Sequence, residues 1–168
     1  MAHVMPFKAI RPVKEEAATI AALPYDVYSR EEAYAAVKDN PNTFLTIDRP
    51  ETMFAPDCDM YSAEVYRAAA DKLKEWISGG RFIQDDKQCY YLYELTMNQH
   101  VQTGIVACVA VSDYVNEIVK RHENTREEKE RDRIEHIRTC NAQTGPIFLA
   151  YKNDVFVNRK IGQTLIEN

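Results

Sequence analysis

The chain has 168 residues, of which 45% are hydrophobic and 28% are charged. These proportions are typical of a globular domain and argue against a disordered or fibrous protein. A chain of this length buries about two thirds of its unfolded surface, so we expect a single domain over residues 1–168. The formal net charge of −5 gives no overall attraction to nucleic acid or to an anionic membrane, and such binding would need a local basic patch.

The sequence has no apolar run long enough to span a membrane, and residues 1–11 lack the apolar centre of a signal peptide. We therefore expect a cytoplasmic protein without a membrane partner. Its four cysteines are too far apart in sequence for a zinc site or a redox pair. We predict reduced thiols, with Cys108 in the core, at Cys58, Cys89, Cys108 and Cys140.

The first half of the chain contains two predicted helices and one predicted strand. The segment Ser29–Glu32 has the spacing of a capping box, which predicts a helix from there to about Lys38. The segment Thr43–Asp48 alternates and is rich in strand-forming residues, so we predict a strand. Between Ser62 and the pair Gly79–Gly80, apolar residues recur at helical spacing and predict a longer helix.

The second half is richer in predicted strands. Cys89–Thr96 and Val101–Val111 predict an antiparallel hairpin. Within it, Gly104–Val111 is almost continuous in apolar residues, as expected of a strand covered on both faces. A further strand is predicted over Ile147–Tyr151. Helices interleaved with strands predict an α/β or α+β fold, in which helices pack on a mixed β-sheet that contains the antiparallel hairpin.

The most unusual stretch is Lys120–Arg133, in which eleven of fourteen residues are charged. A second capping box at its centre predicts a helix over Arg126–Cys140, with an apolar face only in its second half. In one interpretation the first half of this helix is exposed to solvent. Pairs such as Glu127 with Arg131 would then stabilise it by roughly 0.2–0.5 kcal/mol each.

The alternative interpretation is an anion-binding site at the N-terminus of this helix. Unpaired backbone amides and the helix dipole favour a phosphate or a carboxylate there. The stretch Lys120–Arg138 has seven basic and six acidic side chains, whereas the rest of the chain has fourteen basic and twenty acidic ones. The interleaved acids would repel a long polyanion more than a small one. The basic side chains near the predicted helix start are Lys120, Arg121, His122 and Arg126.

Several side chains are candidates for acid and base chemistry. His122 adjoins Glu123, and both residue types serve as general acids and bases at neutral pH. Asp26, and again Asp48 with Arg49, lie where an extended segment meets a loop. Ligands often bind at such places, although an Asp at a turn also satisfies backbone amides. The carboxylates of Asp26, Asp48 and Glu123 could hold magnesium if they converge, and nothing in their spacing requires it.

His136 shares its predicted helix with Ile134 and Ile137, so we interpret it as a packing or surface residue and not as a metal ligand. No His-rich metal spacing occurs in the sequence. A P-loop, a GxGxxG turn, a GxSxG elbow and an HExxH helix are also absent from it.

Six segments, in the same order along the chain, resemble the bacterial family catalogued as domain of unknown function 1015. The most specific of them is the charged stretch that ends at Ile137. The six are FKAIRP at Phe7–Pro12, LPYDV at Leu23–Val27, NPNTFLTIDRPE at Asn40–Glu51, QTGIVACVAVSDY at Gln102–Tyr114, KRHENTREEKERDRIEHI at Lys120–Ile137 and NAQTGPIF at Asn141–Phe148.

The resemblance implies a longer protein without an established activity. It also implies a downstream Asp-Gly-His-His-Arg segment, similar to that of ParB-like proteins and of free serine kinases, which this sequence lacks. The chain is therefore expected to be the N-terminal portion of a longer protein, whose downstream domain would complete any catalytic centre. The positions that match the family signature are Asp26, Asp48, Arg49, His122, Glu123, Thr125, Arg126, Asp132 and Arg133.

Taken together, the residues and the resemblance predict the phosphate- or nucleotide-binding part of a small-molecule phosphotransferase. Such catalysis depends mainly on positioning and charge neutralisation. The resemblance suggests an amino acid such as serine as the substrate, with ADP or ATP and magnesium as cofactors. We expect Glu123, His122 and Asp26 to be catalytic. The expected ligand-binding or phosphate-binding residues are Arg126, Arg133, Lys120, Arg49 and Thr125.

The alternative function is a binding module without catalytic activity. It would be either a ParB-like, DNA-associated protein or a domain that recruits a protein partner through the charged helix. The net charge of −5 argues against nucleic acid. A third role is structural, in which the chain forms a homodimer or shields the downstream domain, and an exposed apolar patch would favour it.

Overall fold

The structure is a computed structural model that describes residues 2–121 and 126–167. The fold is α+β, as expected, with helices that form most of the core and strands that pair two by two. The α-helices are α1 (Ala17–Ile20), α2 (Arg30–Asp39), α3 (Leu45–Asp48), α4 (Ala63–Ser78), α5 (Val111–Val115), α6 (Glu127–Cys140) and α7 (Val155–Glu167). Short 3-10 turns cover Tyr25–Val27 and Pro50–Met53.

The strands are β1 (Val4–Met5), β2 (Ile10–Pro12), β3 (Phe82–Gln84), β4 (Tyr91–Met97), β5 (His100–Val106) and β6 (Cys108–Val109). The pairs are β1 with β6, β2 with β3, and β4 with β5, and all are antiparallel.

Helix α4 forms the centre of the core. It starts after Ser62, whose Oγ accepts a hydrogen bond from the backbone of Val65 at 3.4 Å, and it ends at Gly79, as predicted. Its apolar face packs against α3, α6 and β3. The central buried cluster consists of Ile20, Ile47, Leu73, Trp76 and Phe82.

Helix α2 confirms the first capping box. The Oγ of Ser29 accepts a hydrogen bond from the backbone N–H of Glu32 at 3.2 Å, and the Glu32 carboxylate accepts one from the backbone of Ser29 at 2.8 Å. These bonds satisfy two donors of the first helical turn. They also fix the position of Arg30, the first residue of the helix.

The strand predicted over Thr43–Asp48 is wrong, because Leu45–Asp48 forms a turn of α-helix. The hydroxyl of Thr46 donates to the carbonyl of Thr43 at 2.9 Å, a local bond that competes with strand pairing. All four residues of α3 are buried. An alternation over so few residues does not separate a buried helical turn from a strand.

The predicted hairpin is confirmed. Strands β4 and β5 pair from Tyr91 opposite Val106 to Met97 opposite His100. The turn residues Asn98 and Gln99 have φ values of 50° and 64°, as two-residue hairpin turns of the type I′ class require.

Three expectations about the second half are wrong. Gly104–Val111 is not covered on both faces, since Ile105 and Val111 are 39% and 77% exposed, and α5 already begins at Val111. Cys108 is consequently exposed instead of lying in the core. Ile147–Tyr151 forms no strand, because no described segment pairs with it, and Ile147 is 76% exposed.

Helix α6 has nearly the predicted bounds, but its buried face is polar. Asp132 and His136 are 8% and 0% exposed, whereas Ile134 is 44% exposed. The expected apolar face is therefore only partly formed, and the two buried polar side chains require partners.

All four cysteines are free thiols. Within the two described ranges, no helix is both long enough and apolar enough to cross a membrane.

Candidate functional site

A cleft of about 710 Å³ lies between α6, α3 and the Tyr25–Val27 turn. Its volume is within the range of small-molecule sites, roughly 300–1,000 Å³. The basic side chains that line it are Arg30, Arg49, Arg126, Lys129 and Arg133. The acidic side chains that line it are Asp26, Asp48, Glu51 and Asp132.

Asp132, on α6, is buried and holds two other residues of the cleft in place. Its Oδ1 accepts a hydrogen bond from the hydroxyl of Tyr66, and its Oδ2 accepts one from Nη2 of Arg133, both at 2.9 Å. The Arg133 guanidinium also lies 4.2 Å from the ring centroid of Tyr25, a cation–π contact. Burial and the Asp132 carboxylate raise the pKa of Tyr66, so its hydroxyl remains a donor.

Arg49 and Glu51 form a buried ion pair that builds one wall of the cleft. The Nε of Arg49 donates to Oε1 of Glu51 at 2.6 Å, and the exposures of the two side chains are 11% and 2%. The Nη1 of Arg49 donates to the carbonyl oxygens of Tyr28 at 3.0 Å and Tyr25 at 3.2 Å. Arg49 thus joins the two 3-10 turns that border the cleft.

Asp48 ends α3 and is a buried acid of the cleft. The residue is 8% exposed, and its Oδ1 has no hydrogen-bond partner among the described residues. Burial raises the pKa of Asp48 above its usual 3.8, against the lowering effects of a hydrogen bond from Thr144 and of nearby His136 and Arg133. Such a carboxyl group binds a proton more readily than an exposed one.

His136 packs beneath the cleft, and it is a packing residue, as interpreted from the sequence. Its Nε2 lies 2.8 Å from the carbonyl oxygen of Ile47, which can only accept, so the proton is on Nε2. Burial lowers the pKa of His136. One turn later, burial raises the pKa of the Cys140 thiol to about 11, which keeps it protonated and unreactive.

Arg126, the residue before α6, and Lys129, on its first turn, both line the cleft. Both are exposed, and neither side chain forms a hydrogen bond or an ion pair with another described residue. They differ in this respect from Arg49 and Arg133, which already have carboxylate partners. The positive charges of Arg126 and Lys129 are therefore available to a ligand.

The structure brings four of the predicted site residues to this cleft, namely Asp26, Arg49, Arg126 and Arg133. Asp26 is exposed and belongs to the Tyr25–Val27 turn. Lys120 is exposed and is not brought to the cleft. His122, Glu123 and Thr125 lie outside the described residues.

The family model described as protein of unknown function (DUF1015) matches residues 4–168 of the chain. The chain belongs to this family. The match confirms the resemblance drawn from the six segments. That description gives the DUF1015 family no activity, and the predicted ParB-like continuation stays a prediction. No curated protein and no solved structure matches the chain.

Among the residues that line the cleft of this DUF1015 protein, sequence reasoning missed the polar side chains of Arg30, Tyr66 and Lys129. The Nη2 of Arg30 donates to the carbonyl of Cys58 at 2.8 Å, while its Nε is buried without a partner among the described residues. No sequence signal placed Arg30 or Tyr66 beside α6. Lys129 is on the predicted charged helix, where its spacing from Arg126 could have suggested a shared face.

Within residues 2–121 and 126–167 of the DUF1015 chain, no group of three or more His, Cys, Asp or Glu side chains could hold a metal ion. The magnesium site considered from the sequence includes Glu123, which lies outside these ranges. The described part of the cleft offers cationic side chains with which to bind an anion.

Proposed function

We propose that the cleft binds a small phosphate-bearing molecule, such as a nucleotide, and takes part in phosphoryl transfer to a small hydroxyl compound. The observation that carries this proposal is the meeting of Arg126, Lys129 and Arg133 with Asp26 and Asp48 in one cleft. A volume of about 710 Å³ suits a small molecule better than a polymer.

The basic side chains divide the binding of the phosphate between them. Arg126 and Lys129 supply charge that no described carboxylate neutralises. Arg133 is held by Asp132 and by the ring of Tyr25 before any ligand arrives. A guanidinium fixed in advance binds phosphate oxygens with a smaller loss of conformational entropy.

In the transfer step, Asp26 accepts the proton of the substrate hydroxyl. The hydroxyl oxygen forms a bond to the terminal phosphorus of ADP or ATP, and the bond from that phosphorus to the bridging oxygen breaks. Arginine and lysine side chains neutralise the charge that develops on the phosphate oxygens. An amino acid such as serine is the proposed acceptor, magnesium is the proposed companion of the nucleotide, and a downstream domain is proposed to complete the centre.

Substitution of Arg126 tests the proposal. Because a hydrogen bond to a charged group contributes about 1.5–3 kcal/mol, Arg126→Ala should weaken the binding of inorganic phosphate or ADP by about tenfold or more. Its melting temperature should stay within about 1 °C of the wild type, since Arg126 is exposed. Isothermal titration calorimetry measures the affinity.

The matched control is Arg131→Ala on the same helix. Arg131 pairs with Glu127 at 2.6 Å, and both side chains are well exposed. This variant should bind phosphate like the wild type. Equal affinities in the wild type and Arg126→Ala would remove Arg126 from the site.

A second candidate function, a protein-interaction module or homodimer, has one observation in its favour. The β4–β5 hairpin exposes apolar side chains, including Leu95, Met97 and Val101 at 39%, 74% and 52%. Sedimentation analysis of the wild type and of Val101→Lys tests this function. Self-association that the substitution abolishes, without phosphate binding in the cleft, would favour it over phosphoryl transfer.

A further inference from the structure

The β4–β5 hairpin is a sheet of two strands whose outer edges are both unpaired. Neither edge has a partner strand within residues 2–121 and 126–167, and residues 93–102 are all exposed. A hairpin of two strands is at best marginally stable in water, and a third strand is usually needed to stabilise it. The hairpin therefore has the properties of a sheet that another strand completes.

The two edges of the hairpin differ in charge. Strands that remain at the edge of a sheet usually carry a charged residue or a proline, which opposes pairing with another chain. Strand β4 has Glu94 at its centre. Strand β5 has no Lys, Arg, Asp, Glu or Pro among its seven residues. The edge of β5 therefore lacks the features that oppose pairing with another strand.

The register of the hairpin shows which backbone groups of β5 point outward. Met97 lies opposite His100, and these two residues flank the two-residue turn, so they form a hydrogen-bonded pair. Such pairs alternate along an antiparallel ladder, and the even-numbered residues of β5 consequently bond to β4. The N–H and C=O groups of Val101, Thr103 and Ile105 point away from β4 and are free to bond to a further strand.

We infer that β5 pairs with β5 of a second copy of the chain, antiparallel to it and across a twofold axis at Thr103. In this register the two strands overlap along their whole length. Val101 lies opposite Ile105 of the second copy, and the two Thr103 residues face each other. Pairs of β-branched residues, and of threonines, stabilise antiparallel strands. The product is a four-stranded antiparallel sheet with an isologous interface.

Strand β4 is a poorer partner for itself. Its full overlap with a second β4 would place Glu94 opposite Glu94, and like charges in that arrangement are destabilising. The hairpin contributes no residue to the cleft. The dimer is thus independent of the proposed function, and either can fail without the other.

Thr103→Lys separates the dimer from the folded hairpin. Thr103 lies opposite Glu94 in its own chain, and its hydroxyl donates to that carboxylate at 3.2 Å. A lysine there gains a carboxylate partner in the single chain, so the hairpin should still fold. In the dimer two lysines would face each other, and the dissociation constant should rise about tenfold or more. Analytical ultracentrifugation over a range of concentrations measures it.

The matched control is Thr96→Lys, at an exposed position on the outer edge of β4. This variant should dimerise like the wild type. A wild type that stays monomeric up to about 1 mM would overturn the inference. So would an unchanged dissociation constant in Thr103→Lys, or a loss of the dimer in Thr96→Lys alone, which would place the contact at β4.

Amide hydrogen exchange tests the register in the wild type without any substitution. When the protein concentration is raised through the dissociation constant, the amides of Val101, Thr103 and Ile105 should exchange more slowly. The even-numbered amides of β4, at the other edge, should keep their rates. Contact through a face of the hairpin would protect no such alternating set, and that result would overturn pairing at the β5 edge.

Discussion

At the scale of single residues, the buried face of α6 carries polar side chains where an amphipathic pattern would place apolar ones. Asp132 and His136 are one turn apart, and they bond to Tyr66 of α4 and to the carbonyl of Ile47 in α3. Each of these buried polar side chains thereby has a hydrogen-bond partner on a neighbouring helix. These bonds fix the position of α6 relative to both helices, and with it the position of Arg133.

Burial of His136 makes the stability of the protein depend on pH. Because the pKa of His136 is lowered from 6.5 in the folded state, the unfolded state binds its proton more tightly. The stability that His136 contributes is complete above pH 6.5 and is lost as the pH falls through the folded-state pKa. The melting temperature of His136→Gln should therefore fall less steeply between pH 7 and pH 5 than that of the wild type.

His100→Gln provides the comparison, since His100 is exposed at the start of β5. This variant should retain the wild-type pH dependence. If the melting temperature of His136→Gln fell with pH as steeply as that of the wild type, other groups would be the cause of the acid sensitivity.

At the scale of secondary structure, the sequence predicts best those elements whose ends carry their own signals. Two helices have such signals, made by residues close in sequence. Helix α2 has the capping box of Ser29 and Glu32, and α4 lies between Ser62 and a glycine pair. The Thr43–Asp48 segment lacks such a signal. Its helical turn depends on burial against α1 and α4, which no local pattern reveals.

The capping box of α2 can be tested on its own. Ser29→Ala should lower the free energy of unfolding by about 1 kcal/mol, because the first turn loses its side-chain acceptor. Urea denaturation measures the change. Ser112→Ala, an exposed serine in α5 without a capping bond, should change it by less than about 0.5 kcal/mol. Equal losses in the two variants would show that the box does not stabilise α2.

At the scale of the whole molecule, the cleft could not be predicted from spacing. Its walls come from the Tyr25–Val27 turn, the end of α3 and the first half of α6, which are distant in sequence and meet only because α4 packs against both α3 and α6. The sequence identified Asp26, Arg49, Arg126 and Arg133 as candidates one by one. It gave no reason to place them together, and it could not show that Asp132 pairs with Arg133.

The core around α4 should dominate the stability of the folded chain. Leu73→Ala should cost about 2–5 kcal/mol, since Leu73 is buried in the central cluster. Ile166→Ala, in α7, should cost less than about 0.5 kcal/mol because Ile166 is 87% exposed. The fluorescence of Trp76, the sole tryptophan, reports unfolding in urea. A similar loss in both variants would show that α7 also packs against the core.

The most direct test of the central claim is an NMR titration of the ¹⁵N-labelled chain with inorganic phosphate and then with ADP. We predict saturable shifts of backbone amides that cluster at Tyr25, Asp48 and Arg133, while the hairpin amides around Asn98 stay unchanged. An absence of saturable shifts, or shifts confined to the hairpin, would contradict the account of this cleft as a phosphate-binding site.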